Sequence, residues 1–498
     1  MVDYKVKIGL APCRRNVGPP LSVTPGGIWS KEAALDMKNV VVPYILKNFS
    51  SEHIEFVDLD WLNEDGMMYS YEQAAVIAER FASEKIDALF IVNVNFGDEE
   101  VAAKLAKLCD VPTLIWAPRD VEFGDTEDKR LDNPVYGWRL LDAQCGLFAV
   151  SKLLQRLHVK FTHIPTCDVD DPGFKEAFED FAAVACMLKN WRTMRVLQLG
   201  NRPKLFTSMM FNEDELLERF GIEVFPYSAS VALAEVTRIL ETRDHELDAI
   251  VKRMRDFYPG GDGGDPSVLR KNAALYVFYT ELFETTGCSA ICPDASFARS
   301  LGVSSNIDIA LCNNDKNFMS FESDMHGVIQ MVIMSSATFG EKVPFFGEFT
   351  VNHPTNPNAE LIWHTNIFAP SLADPSLVEP YIQSGPGGLG LNAGFEVARG
   401  TYTIGRFDCM DGKYAMLLGN FKAVPGPFTR GPYIWGEFQN WKKFESAVMY
   451  GPYVHHMVEV EGDERILGRL KEFCRYTAIY ADVPDERSTP FAPFFYNV

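Results

Sequence analysis

Short apolar runs alternate with helix-length amphipathic stretches over the first third of the chain, and this alternation restricts the possible folds more than any other feature. "YKVKIGLAP", "IEFVDLD", "IDALFIVNVNFG" and "VPTLIWAP" read as strands. Between them, "KEAALDMKNVVVPYILKNF", "YEQAAVIAERFASE" and "DEEVAAKLAKLC" carry helical spacing, with Ser30 placed to cap the first of them. Strands that alternate with helices pair in parallel and bury both faces of one sheet. Ligands of such sheets lie beyond the C-terminal strand ends. Those ends are "APCRRN", "NVNFGDEE" and "WAPRD".

The rhythm breaks at "HIPTCDVDDPG" and resumes. "MRVLQLG" and "IEVFPYS" are strands around a short helix closed by Gly221, and "VLRKNAALYVFYTELFETTG" is a long helix. "CSAICPD" and then "IDIALCNNDKNFMSFE" continue the sheet pattern, and "SDMHGVIQMVIMSS" reads as helix. From about residue 345 turns and β-rich runs take over, with one late helix, "DERILGRLKEFCRYTAIY". The expected class is α/β, with two doubly wound αβ domains (1–163 and 164–344) and a β-rich domain (345–498). The glycine stretches "GGDGGD" and "GPGGLG" match no phosphate-binding pattern that opens a helix after a strand, so they read as loops.

Composition narrows the function. The formal net charge of −21 argues against general nucleic-acid binding, which needs a basic surface. The 10 cysteines are scattered without a CxxC pair, as expected of reduced thiols in a cytoplasmic protein. "MVDYKVKIGL" lacks a signal-peptide pattern, and no apolar run reaches the roughly 18 residues of a membrane span.

The chemistry sits in the second half, where ionisable residues interrupt apolar runs: Glu322 in "MSFESDMHGV", Glu348 in "PFFGEFTV", His364 in "LIWHTNIF", and His455 and His456 in "GPYVHHMVEV". A buried charge costs several kcal/mol unless it is paired or bound to metal. Each position taken singly also fits a satisfied core residue. Together they fit one mixed nitrogen and oxygen site suited to Mn²⁺, Fe²⁺, Co²⁺ or Mg²⁺. Asp324 reads as a helix-start charge and His326 as a helix-surface residue.

In "RVLQLGNRPKLF", "FESDMHGV", "PFFGEFTV", "LIWHTNIFAPSL" and "GPYVHHMVEVEGD" the chain resembles the L-fucose isomerase and L-arabinose isomerase superfamily. The motifs keep the family's order, with 348 − 322 = 26 and 364 − 348 = 16 positions between the first three. The resemblance implies two Rossmann-like domains, a β-rich barrel-like domain and a cytoplasmic hexamer whose first domain covers the substrate of another subunit. It implies an aldose–ketose isomerase using Mn²⁺ (or Mg²⁺ or Co²⁺) and a cis-enediol. The sugar would be L-fucose, L-arabinose, D-arabinose or a hexose with an anionic group. Glu322 and Glu348 would be metal ligands and the acid/base pair. His456, or its neighbour His455, would be a third ligand and His364 a fourth. Arg14, Asn95, His455 and Trp435 are candidates for sugar contacts, with Arg15, Asn16 and Trp441 beside them, and Asn95, Phe96 and Asp98 are candidates for the lid over another subunit's site. Asn93, Val94 and Asn95 replace the Trp or His that often covers the sugar, which puts the substrate in question more than the reaction. A sugar-binding protein without catalysis is the alternative.

Overall fold

The structure, a computed structural model, describes residues 1–16, 30–120, 141–385 and 390–488. "GPGGLG" therefore lies largely outside the described residues. The chain divides into two compact units, Tyr4–Lys189 and Asn190–Val498, the latter joined by Met1–Asp3.

The first unit is built on β1 (Val6–Cys13), β2 (Ile54–Val57), β3 (Ala88–Asn93), β4 (Thr113–Trp116) and β5 (Phe161–His163). They pair in parallel in the order β2-β1-β3-β4-β5. Helices α1 (Lys31–Phe49), α2 (Gln73–Glu84), α3 (Glu99–Cys109), α4 (Ala143–Arg156) and α5 (Pro172–Arg192) accompany them. Ser30 caps α1 by accepting from the Ala33 amide, as its position before the first apolar repeat requires. All six residues of β3 are buried, which is why "ALFIVN" lacks polar alternation.

The second unit begins with another parallel sheet, ordered β7-β6-β9, from β6 (Arg195–Leu199), β7 (Glu223–Tyr227) and β9 (Ala290–Pro293). Helices α6 (Glu213–Phe220), α7 (Ala229–Thr242), α8 (Asp244–Phe257) and α9 (Pro266–Thr286) lie between these strands in sequence. Gly221 ends α6 in the left-handed conformation. Two expectations fail here. "GGDGGD" is not wholly a loop, because β8 (Gly260–Gly261) pairs in parallel with Tyr381 and Ile382. "IDIALCNN" is not sheet but helix α10 (Ile307–Asn314), capped by the Asn306 side chain. A short, fully buried apolar run lacks the polar face that separates helix from strand, so periodicity could not decide.

The remaining strands are β10 (Phe345–Asn352), β11 (Ala359–Trp363), β12 (Tyr381–Ser384), β13 (Leu391–Glu396), β14 (Thr401–Met410), β15 (Lys413–Val424), β16 (Pro432–Phe438), β17 (His456–Glu461) and β18 (Tyr480–Asp482). They form a large mixed sheet in which β15-β14-β17-β10-β11-β16 closes on itself through β15–β16 pairing. That ring is antiparallel throughout. Two helices accompany it rather than one: α12 (Trp441–Tyr450) and the expected α13 (Glu464–Thr477). The first was hidden by its aromatic composition, although Asn440 caps it.

Helix α11 (Met325–Ser336) packs against β14, β17 and β9 and is buried at every residue. A helix without a solvent face must be apolar all round, and "GVIQMVIM" is nearly so. Gly327 allows the close approach of β10, since a Cβ there would lie 2.3 Å from the Phe346 ring. Gly347 does the same inside the ring, where a Cβ would meet Ile362 at 2.5 Å.

Candidate metal and active site

Glu322 ends the run "IDIALCNNDKNFMSFE", which reads in the sequence as a continuation of the sheet. It stands instead in a turn after Met319, which bridges to Ile291 of β9. Glu322 and Ser323 both have positive φ, 56° and 60°. Consecutive left-handed residues without glycine are uncommon and cost backbone energy. The turn is held by the Ser323 amide donating to Pro293 O and the Asp324 amide donating to Phe321 O. It keeps the Glu322 side chain about a quarter exposed (23%) while Ser323 and Asp324 after it are buried.

The barrel register supplies the other groups. Glu348 on β10 lies directly opposite His456 on β17 and opposite Trp363 on β11, so His364 follows at the end of the adjacent strand. His456 Nε2 is 3.5 Å from Glu322 Oε2 and 3.9 Å from Glu348 Oε2, and His455 Nε2 is 3.4 Å from Glu348 Oε2. Ligand atoms of Glu322, His364 and His456 lie within 4.8 Å of one another, and so do those of Glu348, His455 and His456. Two ligands each about 2.1 Å from one cation would show separations of this order. The buried Nε2 atoms of His364 and His456 have no hydrogen-bond partner. An imidazole nitrogen without a partner beside two carboxylates, that of His456, fits a divalent cation.

Asp324 determines the state of His456. One of its oxygens caps α11 at the Gly327 amide; the other accepts from His456 Nδ1, at 3.0 Å, and from Arg406. Burial opposes the Asp324 charge, but Arg406 and His456 more than offset it and hold the carboxyl well below its usual range. With its Nδ1 proton given to Asp324, a neutral His456 presents the Nε2 lone pair to Glu322 and Glu348. Burial also opposes protonation of His456, yet Asp324 and Glu322 raise its pKa. His364 is the reverse case. Its Nδ1 accepts the Thr365 amide at 2.7 Å, so the neutral ring carries its proton on Nε2. Burial, then His456 and His455, keep it well below its ordinary pKa. In this state Nε2 carries a proton with no acceptor in the structure, and ligation would require giving up the Thr365 contact.

His326 is not on the helix surface, as the sequence suggested. It is 3% exposed, with Nδ1 3.0 Å from Asp408 Oδ1. The residue that sequence reading missed is Arg406, which joins Asp324 to Asp408 while 1% exposed. A charge inside the strand "TYTIGRFDCM" was the available signal.

The proposed sugar contacts fare unevenly. Trp435 is 3% exposed, packs with Leu361 and Tyr433, and donates to Pro427 O, so no ring face is open for stacking. Trp441 is packed against Phe349 and Phe438. His455 remains half-exposed at Glu348. In the first unit Arg14 is buried, paired to Asp65 and stacked over Tyr69. Asn95 Oδ1 accepts from the Arg15 and Gly97 amides, while its buried Nδ2 has no partner. Asp98 caps α3.

No helix among the described residues is long and apolar enough to cross a membrane. A family model described as the N-terminal domain of fucose/sulfoquinovose isomerase matches residues 28–192. Sulfoquinovose isomerases of Priestia aryabhattai and Priestia megaterium are each 24% identical over 419 residues, covering 79% of this chain and 88% of theirs. One from Alkalicoccus urumqiensis is 21% identical over 347 residues, 68% of this chain and 73% of its own. Carboxylates and imidazoles gather at one end of a closed β ring, and the chain that places them there is similar to aldose–ketose isomerases of the fucose isomerase-like superfamily.

Proposed function

We propose that this chain interconverts an open-chain aldose and its ketose at a divalent cation, Mn²⁺ or else Mg²⁺ or Co²⁺, held by Glu322, Glu348 and His456. The observation that carries this reading is His456 Nε2, buried without a partner between the two glutamates and aimed by Asp324. When bound, the cation polarises the sugar carbonyl and makes the adjacent hydroxyl and C2 protons easier to remove. One glutamate takes the C2 proton to give an enediol, and the other returns a proton at C1. His364 donates from Nε2 to a substrate oxygen, and burial of its ring keeps that donor uncharged. Phe321 and Phe346 pack against His364 and fix its plane.

The relatives' names point to sulfoquinovose, a hexose with a sulfonate at C6, as the first sugar to try. L-Fucose and L-arabinose come next. The test is a panel of aldoses assayed after chelation and after Mn²⁺ is restored. Turnover should vanish and return, and Glu322→Gln should lower kcat about 10²–10⁴-fold without altering the circular dichroism spectrum. Wild-type turnover in Glu322→Gln would sink the reading, and metal-independent sugar binding without isomerisation would favour a binding protein.

A further inference from the structure

A cavity of about 330 Å³ opens at Glu322. That is the lower end of the range for small-molecule sites. Besides Glu322 and Phe321, its lining includes the two cations Lys204 and Arg299, the Ser304 hydroxyl and a second carboxylate, Asp294. The two cations arrive by a simple topological route. Lys204 lies in the loop after β6, and Arg299 lies in the short turn Ala295–Leu301 after β9. These strands are parallel neighbours, so both loops leave the C-terminal edge of the same sheet, where ligands of such sheets bind. Both side chains belong to exposed residues, as does Ser304. Neither cation has a carboxylate in ion-pair range among the described residues. By contrast, Arg195, Arg253 and Arg406 in the same unit are each tied to an acid.

A neutral sugar offers such cations nothing but hydroxyls. A group with a fixed negative charge offers a partner for both, and in a chain of net charge −21 it needs a local positive wall to approach at all. We propose that Lys204 and Arg299, with the Ser304 hydroxyl, bind an anionic substituent on the sugar and so set the enzyme's preference for a charged hexose over its neutral counterpart. This rests on the reading of Glu322 as part of the reaction site. It assigns a different part of the same cavity.

The experiment compares sulfoquinovose with quinovose, the same sugar without the sulfonate, on the Mn²⁺-loaded protein. The readouts are the ratio of kcat/KM values and calorimetric binding of each sugar. Wild type should prefer sulfoquinovose, mainly through KM. Lys204→Gln/Arg299→Gln should cut that preference at least about tenfold, and Arg299→Lys should retain most of it. An equal preference for the two sugars in wild type would overturn the proposal. So would a ratio in the folded double variant within about threefold of wild type. If neither sugar is isomerised but sulfoquinovose binds and the double variant loses that binding, the anion subsite stands and the proposed reaction falls.

Discussion

Two histidine–aspartate pairs in this protein are nearly copies of each other. His456 meets Asp324 and His326 meets Asp408, each with Nδ1 3.0 Å from a carboxylate oxygen. Both rings are buried, both Nε2 atoms lack a partner, and Arg406 binds both aspartates. They differ in what Nε2 faces. His456 looks onto Glu322 and Glu348. His326 packs edge-on against the Phe407 and Tyr414 rings, and among the described residues Asp408 and Cys409 alone make up a donor set with it. A carboxylate orients an imidazole in either place. Only a second set of acidic groups turns the oriented ring into a candidate site for chemistry.

Removing the ring that faces the glutamates gives the largest expected effect. His456→Gln should lower kcat/KM about thousandfold, since a metal ligand supports several kcal/mol of transition-state stabilisation. The same change at His326 should leave kcat/KM within about fivefold, equivalent to about 1 kcal/mol. Comparable losses at both positions would break the distinction.

The aspartates sharpen it next. Asp324→Asn should weaken Mn²⁺ binding by about 10–100-fold in calorimetry, because His456 loses the charge that directs its proton. Asp408→Asn should leave Mn²⁺ affinity nearly unchanged.

Arg406 tests what the pairs share. Arg406→Met leaves two buried carboxylates short of their cation and should cost about 3–5 kcal/mol, read from the urea midpoint with its slope unchanged. A loss under about 1 kcal/mol would mean that the aspartates are held by other groups.

The smallest effect is on pH dependence. Burial works against the charge on His326, but Asp408, with help from Cys409, raises its pKa to about 9. A folded value above the unfolded one means that the protonated ring favours the folded state. That stability is fully present below the ordinary pKa of about 6.5 and disappears as pH rises through about 9. Urea unfolding between pH 7 and pH 10 should show a decline on the order of 1–3 kcal/mol that His326→Gln flattens. An equal decline in the variant would assign the dependence elsewhere.

Much of this could be read along the chain. The β1–β5 runs and their helices showed in their periods, because each element carries its own pattern. Glu322, Glu348 and the histidine doublet stood out because charge inside apolar runs is costly. Helix α10 did not show, since a buried run is apolar whether it coils or extends. Trp435 misled for a related reason: an aromatic ring reads the same whether it faces a ligand or the core.

The sequence alone determined the order of strands and helices around the first sheet and the presence of acids and imidazoles where burial makes them expensive. Those are local properties, carried by period and hydrophobicity. Only the tertiary structure decided which imidazole serves which acid. Asp324 is 132 positions from His456 and 82 from Arg406, and Glu348 reaches His456 through the register of β10 on β17. Ring closure sets those pairings across long separations, and no window of the chain records them.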